Sequence, residues 1–155
     1  MFKTVIWATD GSACADHALG LVRSIAERDH SDVHVVHVRE LLASGGMAGP
    51  AALADADAVE QRIRDQAQQL SETGTRCQVH VVSSSAGEVA KAIVEIADAA
   101  GADVIIVGTR GYSPLIGMMV GSVTQRLLHV AACPVLAVPP AAVPADESPA
   151  AAARA

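Results

Sequence analysis

The stretch Val104-Ile105-Ile106-Val107-Gly108-Thr109-Arg110-Gly111 runs four β-branched residues straight into a turn with a glycine at each end. Its apolar part is short and does not alternate with polar residues, so it reads as a strand buried on both faces. Such strands belong to parallel sheets covered by helices on either side. Four further runs read as its neighbours, most of them again apolar on both faces: Val5 to Ala8, Val33 to Val38, Val79 to Val82 and Val135 to Val138.

The segments between these runs change to helical spacing. Ala15, Ala18, Leu19, Val22, Ile25 and Ala26 form one apolar stripe, and Val59, Ile63, Ala67 and Leu70 form a second. A third helix is expected to open on a capping box, Ser85 with Glu88, to present Val89, Ala90, Ile93, Ile96 and Ala97, and to stop near Gly101. A fourth runs from about Val120 through Val123, Leu127 and Leu128. Strand and helix alternate four times before a last strand, the pattern of a doubly wound, Rossmann-like α/β domain with a five-stranded parallel sheet, four helices and right-handed crossovers. One domain over residues 1–138 is expected. Residues 43–54, ASGGMAGPAALA, read as a mobile loop, and residues 139–155, PPAAVPADESPAAAARA, as a disordered Pro/Ala-rich tail.

Composition narrows the functional classes. With 51% hydrophobic and 18% charged residues in 155, the chain has ample material for one packed core. It contains no apolar run of the roughly 18 residues that a membrane-spanning helix needs, and Met1-Phe2-Lys3 leads directly into a strand, so a cytoplasmic protein with no membrane partner is expected. The net charge is −6, and Lys3 and Lys91 are the only lysines. No nucleic-acid partner is expected on that ground, because there is no basic surface to neutralise a run of phosphates. Cys14, Cys77 and Cys133 have no metal-site spacing and read as reduced, mostly buried thiols. His34 and His37 differ by an odd number along one strand and point to opposite faces, so they cannot share a metal. His17, His30, His80 and His129 are scattered, and Met118 and Met119 read as packing residues.

Two strand ends carry chemistry. In an open parallel sheet, ligands sit outside the carboxyl ends of the strands. The first strand ends in Thr9-Asp10-Gly11-Ser12, which brings a carboxylate and a hydroxyl to the mouth of the sheet; Asp10 or Ser12 could equally do no more than cap the first helix. The fourth ends in Gly108-Thr109-Arg110-Gly111, and Gly121-Ser122 then opens the fourth helix. Glycine lets a backbone approach a ligand closely, and the free amides of a helix N-terminus favour phosphate oxygens, so the two turns together can cradle phosphate without side chains.

At these residues the sequence resembles the universal stress protein family, in its nucleotide-binding subgroup, over residues 2–138. The resemblance rests on Asp10-Gly11-Ser12, on Gly108-x2-Gly111-x9-Gly121-Ser122, and on Ala132-Cys133-Pro134-Val135-Leu136. It implies a strand order 3-2-1-4-5, which sets the first and fourth strands side by side. It implies a site made of Thr9, Asp10, Val38, Val107, Gly108, Arg110, Gly111, Gly121, Ser122, Val123 and Thr124. Asp10 would meet the ribose and the backbone of Val38 the adenine. Gly108 and Gly111 would pass close to ribose and phosphates, and Gly121 to Thr124 would hold the phosphates through amides and hydroxyls. The ligand implied is ATP, or AMP, ADP or a cyclic nucleotide, with Mg2+ accompanying ATP. The resemblance also implies a homodimer through the last strand, residues 134–138. Tyr112 and the apolar loop to Val120 depart from the family pattern and leave Arg110 as the only cation in the motif.

A small stress-response regulatory module that binds an adenine nucleotide is therefore expected, with a weak ATPase on the same fold as the alternative. Efficient phosphoryl transfer is not indicated, since Gly-x-x-x-x-Gly-Lys is absent. A dinucleotide oxidoreductase would need Gly-x-Gly-x-x-Gly after the first strand, where the chain has Asp10-Gly11-Ser12-Ala13-Cys14.

Overall fold

A computed structural model describes residues 1–41, 50–85, 87–110 and 120–141, with the backbone alone for 50–54. The elements in chain order are β1 Thr4–Ala8, α1 Ala13–Asp29, β2 Asp32–Leu41, α2 Pro50–Glu72, β3 Cys77–Ser85, α3 Val89–Ala100, β4 Val104–Gly108, α4 Ser122–Val130 and β5 Val135–Val138. The strands form one parallel sheet in the order β3-β2-β1-β4-β5. The order reverses beside β1, so the carboxyl ends of β1 and β4 part there and open a crevice.

Alternation along the central strand divides the core. Val5 and Trp7 face α1 and α2, packing with Val22, Ile25, Ile63 and Leu70. Ile6 and Ala8 face α3 and α4, packing with Ile93, Ala97, Ile105 and Leu127. Trp7 is fully buried, and its indole nitrogen donates to the Ala15 carbonyl at 3.2 Å, which satisfies its one polar atom.

Several boundaries differ from the sequence reading, each for a physical reason. β2 and β3 extend past their apolar runs, and their ladder continues through Arg39↔Ser83, Glu40↔Ser84 and Leu41↔Ser85. Backbone pairing needs no apolar side chain, so hydropathy marks only the half of each strand that is roofed by helices. Because β1 stops at Ala8, this ribbon overhangs the mouth of the sheet. The segment 43–54 was expected to be loop throughout, but α2 begins at Pro50. Proline suits a first helical position, where its missing N–H has no partner to lose.

The capping box proposed for α3 does not form. Ser85 is the last residue of β3, and Glu88 is itself the N-cap with no side-chain cap bond. Glu88 donates its backbone N–H to the Ser85 carbonyl at 3.0 Å and pairs its carboxylate with Lys91. The helix ends as expected at Gly101, which takes a left-handed φ of 62°. α4 starts at Ser122, two residues later than the apolar pattern suggested. Residues 42–49, and 142–155 of the tail, lie outside the described residues. All three cysteines are unpaired; Cys14 is buried, Cys77 and Cys133 are half-buried, and burial pushes the Cys77 thiol up to about 11.

Candidate functional site

A cleft of about 330 Å3 opens at the crevice between β1 and β4, on the α3 and α4 side of the sheet. Ala8, Thr9 and Asp10 enter it from the end of β1, and Val36, Val38 and Glu40 from β2. Val107, Gly108 and Arg110 come from β4 and the turn after it, Gly121 to Thr124 from the start of α4, and Val89 and Ile93 from α3.

The β1 end is a tight hydrogen-bonded turn. Asp10 Oδ1 accepts the Ser12 N–H at 2.9 Å, and Thr9 Oγ1 accepts the Gly11 N–H at 3.1 Å. Gly11 adopts a φ of 79°, which the turn reserves for glycine. Ser12 in turn caps α1, its Oγ accepting from the Ala15 amide at 3.3 Å. Of the two roles open in the sequence, capping thus falls to Ser12, while Asp10 stands at the cleft as the anchor of an Asx turn. Behind it the buried His37 ring meets the Thr9 carbonyl at 2.9 Å and fixes the turn from the opposite face of the sheet.

The opposite wall is built from backbone. Gly121 is the N-cap of α4 and has no side chain with which to cap it, so the amides of the first turn are left for another partner. The turn is fixed in place by two bonds. Gly121 donates its N–H to the Thr109 carbonyl at 2.7 Å, and Thr124 donates its hydroxyl to the Gly108 carbonyl at 2.8 Å. Gly108 itself lies hard against α1: a Cβ there would sit 3.0 Å from the Ala15 nitrogen, the Cys14 carbonyl carbon and Cys14 Sγ. A side chain at 108 would therefore need α1 to give way by a few tenths of an ångström, so helix packing alone favours glycine there.

Ten of the eleven residues singled out in the sequence converge on this cleft: Thr9, Asp10, Val38, Val107, Gly108, Arg110, Gly121, Ser122, Val123 and Thr124. Gly111 lies outside the described residues, as does the loop after it to Met119. Sequence reasoning missed Glu40, which shares a strand face with Val38 at a spacing of two, and Val89 and Ile93, which share a helix face at a spacing of four. Chemically the cleft combines an apolar wall, two carboxylates, one arginine and an open helix N-terminus.

One histidine is corrected. His80 is not isolated: its Nε2 lies 2.9 Å from His34 Nδ1, across the β2–β3 ribbon, with the two rings 11° from parallel. Burial, and then the neighbouring His34, hold the His80 imidazole below its ordinary pKa. His34 and His37 do diverge to opposite faces. Among the described residues no group of three His, Cys, Asp or Glu side chains is arranged to hold a metal, and no helix is long and apolar enough to cross a membrane.

Comparison with known proteins agrees with this architecture. A universal stress protein from Thermus aquaticus is 31% identical over 140 residues, covering 89% of this chain and 99% of its own. A universal stress protein solved in complex with cAMP superposes with a TM-score of 0.63 at 24% identity, covering 88% of this chain and 97% of that one. The universal stress protein from Archaeoglobus fulgidus solved in complex with dAMP gives 0.61 at 23%, covering 89% and 98%. At those identities the two structures attest the shared fold. The family model for universal stress proteins matches residues 1–139, nearly the whole chain, and the protein belongs to the universal stress protein family.

Proposed function

We propose that the protein is a cytoplasmic stress-response module that binds ATP or a related adenine nucleotide in the β1–β4 cleft, and that binding alters its dealings with a partner. One observation carries the reading. The uncapped N-terminus of α4 faces the same cleft as the Asp10 carboxylate and an apolar α3 wall, so phosphate, ribose and base each find matching chemistry. The cAMP and dAMP complexes of similar structures support the ligand class.

In this reading the amides of Ser122, Val123 and Thr124 hold phosphate, with Arg110 as the neighbouring cation. Asp10 accepts from ribose hydroxyls through the oxygen that Ser12 leaves open. Val38 contributes backbone to the base, Thr9, Val107 and Gly108 form the floor, and Gly111 joins the cradle. Mg2+ enters as the counter-ion of a triphosphate, because Asp10 and Glu40 are the only carboxylates in the described lining and one oxygen of Asp10 is already engaged. The chain pairs with a second copy through β5, and residues 139–155 are dispensable for fold and binding.

Two measurements test the reading. Mass spectrometry of the protein purified under native conditions should find a retained adenine nucleotide. Calorimetry should show weaker ATP binding by Gly121→Val than by the unmutated protein, and unchanged affinity in that variant would overturn the phosphate site.

A further inference from the structure

Val36, Val38 and Glu40 alternate along β2 and all line the cleft. The valines extend an apolar wall, and Glu40 ends it with a carboxylate. Glu40 is not drawn off by its basic neighbour, since Arg39 lies on the other face of the strand and pairs with Glu60 and Asp57. Instead Glu40 Oε1 accepts the backbone N–H of Gly87 at 3.1 Å, in the turn that leads into α3. Gly87 holds a φ of 82°, a conformation that few other residues adopt. The carboxylate is thereby pinned between β2 and the start of α3, and among the described residues its Oε2 has no hydrogen-bond partner.

We propose that Glu40 selects the base of the bound nucleotide, its Oε2 accepting a hydrogen bond from an exocyclic amino group and rejecting a carbonyl in the same place. The inference rests on the nucleotide reading above and names the residue that sets its base preference. A base lying between the β2 valines and Val89 and Ile93 presents its polar edge along β2, where Glu40 stands. A carboxylate can only accept. Adenine offers an amino group at position 6, whereas hypoxanthine and guanine offer a carbonyl oxygen there, which sets acceptor against acceptor. Guanine also carries an adjacent pair of N–H donors that would suit both oxygens of a carboxylate. Here Gly87 occupies one of them, so the fixed arrangement matches a single amino group.

ATP and ITP share sugar and phosphates and differ only at the base, so calorimetric titration of both isolates this contact. The unmutated protein should bind ATP about tenfold or more tighter than ITP, the range expected when a charged acceptor loses its donor. Glu40→Gln keeps an oxygen for Gly87 and replaces Oε2 with an NH2 group, which turns the acceptor into a donor. The ATP-to-ITP ratio should then fall to about threefold or less, through weaker ATP and stronger ITP binding. An unmutated protein that binds the two equally, or a Glu40→Gln variant that binds ATP with an unchanged ratio, would overturn the role of Glu40 and leave nucleotide binding standing. Failure of the unmutated protein to bind either nucleotide would overturn both.

Discussion

The hydroxyl of Thr124 donates to the carbonyl oxygen of Gly108 at 2.8 Å, fastening the first turn of α4 to the last residue of β4 in a buried setting. With that proton committed, Thr124 contributes its amide to the cleft and its side chain to the frame. Thr124→Val should leave a buried carbonyl without this partner and cost roughly 1–3 kcal/mol. Thr124→Ser should retain most of the stability. Urea unfolding midpoints of the two variants check this, and a valine variant as stable as the parent would remove the clamp from the account.

Gly121 has a φ of −69° and a ψ of 156°, which any residue can adopt, so the backbone does not itself require glycine there. Serine at an N-cap accepts a hydrogen bond from the very amides that would hold phosphate. Gly121→Ser should therefore leave stability unchanged within a few tenths of a kcal/mol while weakening ATP binding by about tenfold. Thermal unfolding and calorimetry on the same sample separate the two effects. Undiminished ATP affinity with a serine cap would argue that phosphate does not use the α4 amides.

Proton linkage at His80 gives a signed prediction. Its folded pKa lies below the ordinary 6.5, so from about 6.5 downward the unfolded chain binds more protons than the folded one. Stability should fall as the pH drops through that window and level off below the folded pKa. Asp29, Asp103 and Glu60 have lowered pKa values from ordinary values of 3.8 to 4.5, so their stabilisation is lost mainly at lower pH still. Unfolding free energies measured between pH 7 and 5 should therefore slope less in His80→Gln than in the parent. Equal slopes would exclude His80 as the source.

β5 is a four-residue edge strand, and Leu136 in it is 37% exposed. An apolar edge of this kind can pair with its own copy about a two-fold axis. Leu136→Asp should convert the proposed dimer to monomer, as read by sedimentation velocity at micromolar concentration. An unmutated protein that sediments as a monomer would rule the dimer out.

Most of the fold was legible because burial on both faces leaves an unmistakable run, as at Val104 to Val107. What escaped was structure held by backbone alone. The outer halves of β2 and β3 carry Arg39, Glu40, Ser83 and Ser84, and no side-chain pattern marks a ladder between such residues. Ser85 and Glu88 had the spacing of a capping box, but the strand claimed Ser85 first. The site glycines were legible as a group and ambiguous one by one: Gly108 answers to α1, and Gly121 has an ordinary backbone. Glu40 and the His34–His80 contact depend on which strands are neighbours, and strand order was available only through family resemblance.

The peptide unit that follows Thr109 Cα and the one that precedes it point to different parts of the molecule. The Thr109 N–H is bound by the Val138 carbonyl, at the end of the edge strand, and the Thr109 carbonyl receives the Gly121 N–H, at the mouth of α4. Val138 O also takes the Cys14 thiol at 3.5 Å, which ties α1 to the same junction. The two planes meet at Thr109 Cα, so the shortest backbone path from the α4 mouth to the edge strand runs through the φ and ψ of a single residue. A ligand at the α4 mouth that also favoured the paired form of β5 would couple the two sites through this residue. By thermodynamic reciprocity, assembly would then sharpen ligand affinity by the same factor that the ligand sharpens assembly.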